Sequence, residues 1–212
     1  VGGLKADQIN GMTTNGILSL STNVSQIPTN QFAKLTTTQI DALDSSQLAA
    51  LSNNQLGALT SAQFAVLTSD DFGALSSSQY AGFTSSQLAW MTTSQALGMD
   101  PARLGALDSG QIRGLSTAVI NSFDMNQVMA LTSDQIQGLS SAQLNAIDST
   151  LVDQISSDVI GHLTTSQVST LTTDFLAGLS SGQIGGFTST QFGALGSTQL
   201  NSLIATNPTY LT

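Results

Sequence analysis

His162 is the single histidine of this 212-residue chain. A Ser-His-Asp relay, an imidazole metal site or a histidine-ligated haem would all have to be built on that one residue. It sits directly before Leu163, an apolar setting in which an imidazole is packed or solvated rather than a ligand. The acidic residues number 13, and the adjacent pair is Asp70 and Asp71. Paired carboxylates can exchange protons or hold calcium, but no aspartate-rich glycine loop of the EF-hand or β-roll kind accompanies them. There is no cysteine, hence no disulfide and no thiolate metal site. The glycines follow a repeat and form no phosphate-binding loop. We therefore expect no catalytic set, no cofactor and no metal, and a protein that is not an enzyme. Tyr80, Trp90, Arg103 and Arg113 are the one concentration of unit-specific aromatic and cationic groups, and they are the candidate partner contacts. For Arg103 and Arg113, with Asp108 nearby, a surface ion pair is the simpler account.

The elements that hold these residues follow from an eight-residue repeat that keeps register from Pro28 to Leu203 without insertion or deletion. Its last site runs Leu35, Leu43, Leu51 and onward to Leu195 and Leu203, and all 22 occupants are large and apolar. Three residues earlier lies a second apolar column, from Phe32 and Ile40 to Phe192 and Leu200, with Ala96 its one small member. No octad can bury its apolar pair alone, so the units must stack on one another.

Counting Thr36 as site one and Leu43 as site eight, site one is Ser, Thr or Asp in 20 of the 22 units, with Pro28 and Gly196 the exceptions. These side chains accept from the free N–H groups of a first helical turn, which makes site one an N-cap. Asp44, Asp100, Asp108, Asp124 and Asp148 all fall there, and capping accounts for them. Site four is Gln in 16 units, completing the capping box in which the Gln side chain returns to the cap's own N–H. Pro101 follows Asp100 at the first helical position, where a missing N–H is harmless. Apolar sites three apart share one face of a helix and not one face of a strand. Site seven is usually Ala or Gly, letting another backbone come close and helping the chain leave the helix.

The expected fold is thus an all-α repeat solenoid of about 25 short capped helices, one per octad. A β-solenoid is the alternative, but strands favour alternation and β-branched residues, whereas these units are rich in Ala, Leu and Gln. A continuous helix would smear the two apolar columns around its circumference. Three segments result: irregular first repeats at 1–27, the regular array at 28–203, and a divergent repeat or fragment end at 204–212. Within the first, Lys5–Met12 and Thr13–Leu20 lead into a seven-residue unit, Ser21–Ile27, which implies a local kink. Around Trp90 the sizes are rearranged. The tryptophan takes the normally small site seven, and the next unit has Ala96 with Leu97 beside it, which predicts compensated core packing. An aromatic docking spot would instead need Trp90 exposed.

Charged residues make up 8% of the chain, with net charge −9 and a pI near 4.1, so neither nucleic acid nor an anionic membrane surface is expected as a partner. Ser, Thr, Asn or Gln returns within every octad, which excludes a membrane-spanning helix. The units Leu-Thr-Thr-Thr-Gln-Ile-Asp-Ala-Leu at 35–43 and Leu-Thr-Ser-Asp-Gln-Ile-Gln-Gly-Leu at 131–139 resemble the short Ser/Thr-x-x-Gln repeats of very large exported bacterial proteins. Those are often labelled adhesins or haem-utilisation proteins. Uniform register without a competing polar cluster points to a non-enzymatic structural segment, a stalk, spacer or self-assembling filament, and the resemblance implies a place at the cell surface or outside the cell. Self-association into fibres or bundles is its expected partnership, since identical faces recur. The alternative is a solenoid binding module for a protein, peptide or glycan ligand.

Overall fold

The computed structural model describes residues 5–206. Among them are 23 α-helices and two 3-10 helices and no strand, so the chain is all-α. Through the regular array the octads give one helix of four to six residues each, such as Thr37–Asp41, Ser45–Ala50 and Asn53–Gly57, except for 148–155 and the last. The last helix, Ser197–Thr206, is longer and carries residues 204–206 of the divergent end. Residues 207–212, which hold Pro208 and Tyr210, lie outside the described residues.

Local chemistry sets each helix. Thr36 accepts the backbone N–H of Gln39 on its hydroxyl while the Gln39 side chain accepts the Thr36 N–H, and the same box recurs at Asp44, Ser52, Thr60 and onward to Thr188. Pro101 opens the helix Pro101–Gly105 as expected. The helices end when site eight turns extended, as at Leu51 with φ −64° and ψ 139°. Its N–H then donates to the site-five carbonyl, Leu51 to Leu48 at 3.1 Å.

Glycine has no part in that exit. No glycine among the described residues has positive φ, and Gly178 and Gly186 at site seven are right-handed. What site seven does need is room. A Cβ on Gly98 would lie 2.1 Å from Ser69 O, and one on Gly138 or Gly178 would lie 2.6 or 2.3 Å from the equivalent Ser109 or Ser149 carbonyl. Each of those neighbours is site two of the octad three units earlier.

Two compact units, Val1–Leu107 and Asp108–Thr212, follow this plan. In the first, the helix Ser45–Ala50 packs on Ser69–Ala74 and that helix on Thr93–Ala96; in the second, Ser109–Ile112 packs on Ser133–Gly138 and Ser157–Gly161 on Ser181–Gly185. Every pair is three octads apart. All site-eight residues are buried, as are the site-five residues through Ile184, and only Phe192 and Leu200 of that column are half-buried. Each unit is therefore a solenoid whose two apolar columns form its core.

The pattern breaks where local chemistry predicts and in one place where it does not. The short unit Ser21–Ile27 forms the 3-10 helix Ser21–Gln26, and Ser21 takes φ 48° where the residue is missing. A second 3-10 helix, Val152–Gln154, replaces an α-turn in the octad 148–155. There Leu151 occupies site four and cannot close a box, and Asp148 bonds Thr150 N at 2.9 Å instead of the usual third residue.

Candidate functional site

A helix of five residues has scarcely any group bonded inside it. Its first N–H groups and last C=O groups are orphans that need partners elsewhere. The site-four glutamines serve both ends. In Gln87, Oε1 accepts the Thr84 N–H at 2.9 Å, closing the cap of its own helix. Its Nε2 donates to Leu56 O at 2.8 Å and Leu59 O at 3.1 Å, sites five and eight of a helix 31 and 28 residues earlier. Gln79 on Leu48 and Leu51, Gln95 on Phe64 and Leu67, Gln167 on Ile136 and Leu139, and Gln183 on Val152 and Ile155 repeat it. These side chains are at most 7% exposed. A run of shared amide staples thus joins the N-terminus of one short helix to the C-terminus of another. Each staple spans 28 and 31 residues and so links successive turns of the solenoid within a unit.

An outer row of amides reaches the other way. Asn53 donates to Ser78 O, Asn121 to Ala146 O, Gln137 to His162 O and Asn145 to Thr170 O, each 25 residues later.

The departures at site four show what the position requires. Asp71 closes the box with Thr68 but carries no amide N–H to reach backwards. Val119, Val159 and Phe175 are buried apolar substitutes. Arg103 keeps the donor role: its Nε bonds Leu75 O at 2.6 Å and its Nη2 bonds Gly73 O at 2.5 Å, while Nη1 pairs with the Asp100 carboxylate. At Gln31 the cap residue is Pro28, which has no N–H, and Gln31 Oε1 is a buried atom without a partner. Replacing Pro28 with Thr should restore the box and raise stability by about 1 kcal/mol, the gain of satisfying that oxygen less the proline's rigidity. Urea unfolding of the two proteins measures it.

The candidate contacts separate on this frame. Tyr80 is fully buried at site five, its hydroxyl donating to Phe72 O at 3.2 Å, and so offers no surface to a partner. Burial holds that hydroxyl protonated well above the ordinary tyrosine range, against the opposing charge of Arg103. Arg103 is a staple, and its ion pair is with Asp100 rather than Asp108, whose carboxylate instead caps Gln111 N at 2.7 Å. Arg113 is exposed and lends its carbonyl to Gln143 Nε2. Trp90 is 40% exposed, with its ring 6.0 Å from Phe64 in an edge contact within a cluster of Phe64, Phe72, Tyr80 and Phe83. Leu97 is 76% exposed and does not fill the space beside Ala96, so it takes no part in the packing expected around Trp90.

His162 is exposed, its Nδ1 2.7 Å from Asp158 O. Among the described residues no three His, Cys, Asp or Glu side chains gather as a metal set, and no helix is long and apolar enough to cross a membrane.

Short boxed helices tied by a recurring amide define a helical repeat protein. The family model described as the ALTTAQ repeat matches residues 32–69, 40–77, 64–100 and 104–141, together just over half of the chain. The protein belongs to that repeat family. Read as residues, the six letters are sites seven and eight of one octad and one to four of the next, as in Ala58-Leu59-Thr60-Ser61-Ala62-Gln63. They span the close-approach site, the buried leucine, the cap and the staple. Comparison with curated proteins returns no match.

Proposed function

We propose that this chain is a non-enzymatic structural segment, a stalk, spacer or self-assembling filament of a bacterial surface or extracellular protein. The glutamine staples support it: one bonding scheme recurs at a fixed step and sets spacing rather than reactivity. Such an array resists extension, because most of its short helices are tied at both ends. A low content of charged residues and the lack of cysteine suit an exported chain whose fold needs no redox control. Recurring identical faces favour side-by-side association of copies. No catalytic residue, cofactor, nucleic acid or membrane span has a part in this role.

A second function, a binding module for a protein, peptide or glycan, is favoured by the exposed Trp90 and Leu97, large apolar groups that the core leaves outside. Electron microscopy of the purified protein with light scattering across a concentration series separates the two. Uniform filaments that lengthen with concentration are expected of the assembling segment. Discrete particles of constant mass would rule out the filament and leave a monomeric spacer or the binding module, which a screen with and without Trp90 would then divide.

A further inference from the structure

The second compact unit contains an open cleft of about 380 Å³, lined by Asn121, Asn145, Ile147, Asp148, Thr172 and Asp174, with Phe175 among its walls. It lies where the staple is missing. Position 175 is a site four, and a glutamine there would donate to Ile147 O, 28 residues earlier. Phe175 brings no donor, and among the described residues none reaches Ile147 O or Asn145 O.

The groups left in the cleft are mostly acceptors. Asn121 Nδ2 is committed to Ala146 O, and Asn145 Nδ2 to Thr170 O, while Asn145 Oδ1 takes the Thr172 N–H. Asp148 uses Oδ1 for Thr150 N and Oγ1, and those two bonds hold its carboxyl below the usual aspartate range, so that it stays charged at neutral pH. Its second oxygen, the exposed Asp174 carboxylate and the free carbonyls remain. From residue 108 onward the sequence has seven Asp against Arg113 as the one Lys or Arg, so the surrounding field also favours a cation.

The chain shows which cation suits this geometry. In the first unit the carbonyls at the same offsets from site four, Leu75 O and Gly73 O, 28 and 30 residues before Arg103, are filled by a guanidinium, and an aspartate closes its remaining edge. The equivalents for position 175 are Ile147 O and Asn145 O, with Asp148 and Asp174 alongside. We propose that this cleft binds a guanidinium group, the side chain of an arginine presented by a protein partner. A planar fork of N–H donors meets carbonyl and carboxylate together in a way that a lone ammonium does not.

The test is an NMR titration of the 15N-labelled protein with methylguanidinium chloride, with methylammonium chloride, urea and calcium chloride as parallel arms. Saturable shifts confined to the amides of 145–150 and 172–175 are expected with methylguanidinium. Asp174→Asn, at an exposed position, should weaken binding roughly tenfold. Phe175→Gln supplies the missing donor from within and should abolish the response. Absence of saturable shifts, equal shifts with urea, an unchanged response in Asp174→Asn, or a response to calcium alone would each overturn the proposal.

Discussion

Replacing Gln87 with Glu should destabilise the protein by about 3–5 kcal/mol at neutral pH. The substitution preserves the shape and the capping half of the box, since a carboxylate oxygen accepts the Thr84 N–H as well as an amide oxygen does. It removes both donated bonds, leaving Leu59 O without a partner and Leu56 O with the Leu59 N–H alone, and it places a charge against two carbonyl oxygens at a site 2% exposed. Burial and those oxygens must raise the folded-state pKa of the new carboxyl above its unfolded value of about 4.3. The penalty is therefore complete above the folded pKa and is relieved as pH falls toward about 4.3, where a protonated carboxyl donates one bond. Urea unfolding followed by circular dichroism at pH 7 and near pH 5 should show the variant recovering stability relative to the parent. A loss independent of pH would mean that the lost packing, and not the donor, matters.

The second large effect is steric. Gly98→Ala should destabilise by about 2–3 kcal/mol, because its Cβ would meet Ser69 O at 2.1 Å and Gly73 N at 2.9 Å, both rigid backbone. Gly105→Ala should stabilise by about 0.5–1 kcal/mol, since nothing lies within 4 Å of its Cβ and alanine restricts the unfolded chain. Gly98 is at site seven and Gly105 at site six, so comparing their thermal midpoints isolates the close approach between turns from helix propensity. Equal shifts at the two positions would show that the turns do not pack as closely as described.

Much of this was legible in the octad. Cap, box, buried pair and the small seventh site are local, determined within eight residues or by the volume of one side chain, and Thr36, Gln39, Ile40 and Leu43 display them without reference to any distant part. The step between turns was not legible, because it depends on how successive helices rotate, which no single unit encodes. The second bond of each glutamine depends on that step. A signal for it was nevertheless present. A capping box accepts Glu as readily as Gln, yet all 13 acidic residues are Asp and site four never holds Glu. At that buried site Glu would bring a charge and lack the amide proton that the backward bonds use.

The misplaced contacts have physical causes as well. Tyr80 stands in the site-five column, and register rather than aromatic character decides its burial. Arg103 on an isolated octad looks like a surface cation, but at site four it meets the carbonyls of Gly73 and Leu75. Compensated packing was expected around Trp90, Ala96 and Leu97, and Leu97 takes no part in it because site six faces outward. The cleft beside Phe175 had no sequence signature beyond the missing glutamine, because Asn145 and Asp148 come together with Asp174 only through the step between turns.

The most direct test of the staple is NMR observation of the glutamine side-chain amides. If Gln87 Nε2 bridges to Leu56 O and Leu59 O, its amide protons should exchange slowly with solvent and give nuclear Overhauser contacts to residues 56–60, 27–31 positions away in sequence. Fast-exchanging Gln87 amide protons, with contacts confined to residues 83–91, would contradict the account.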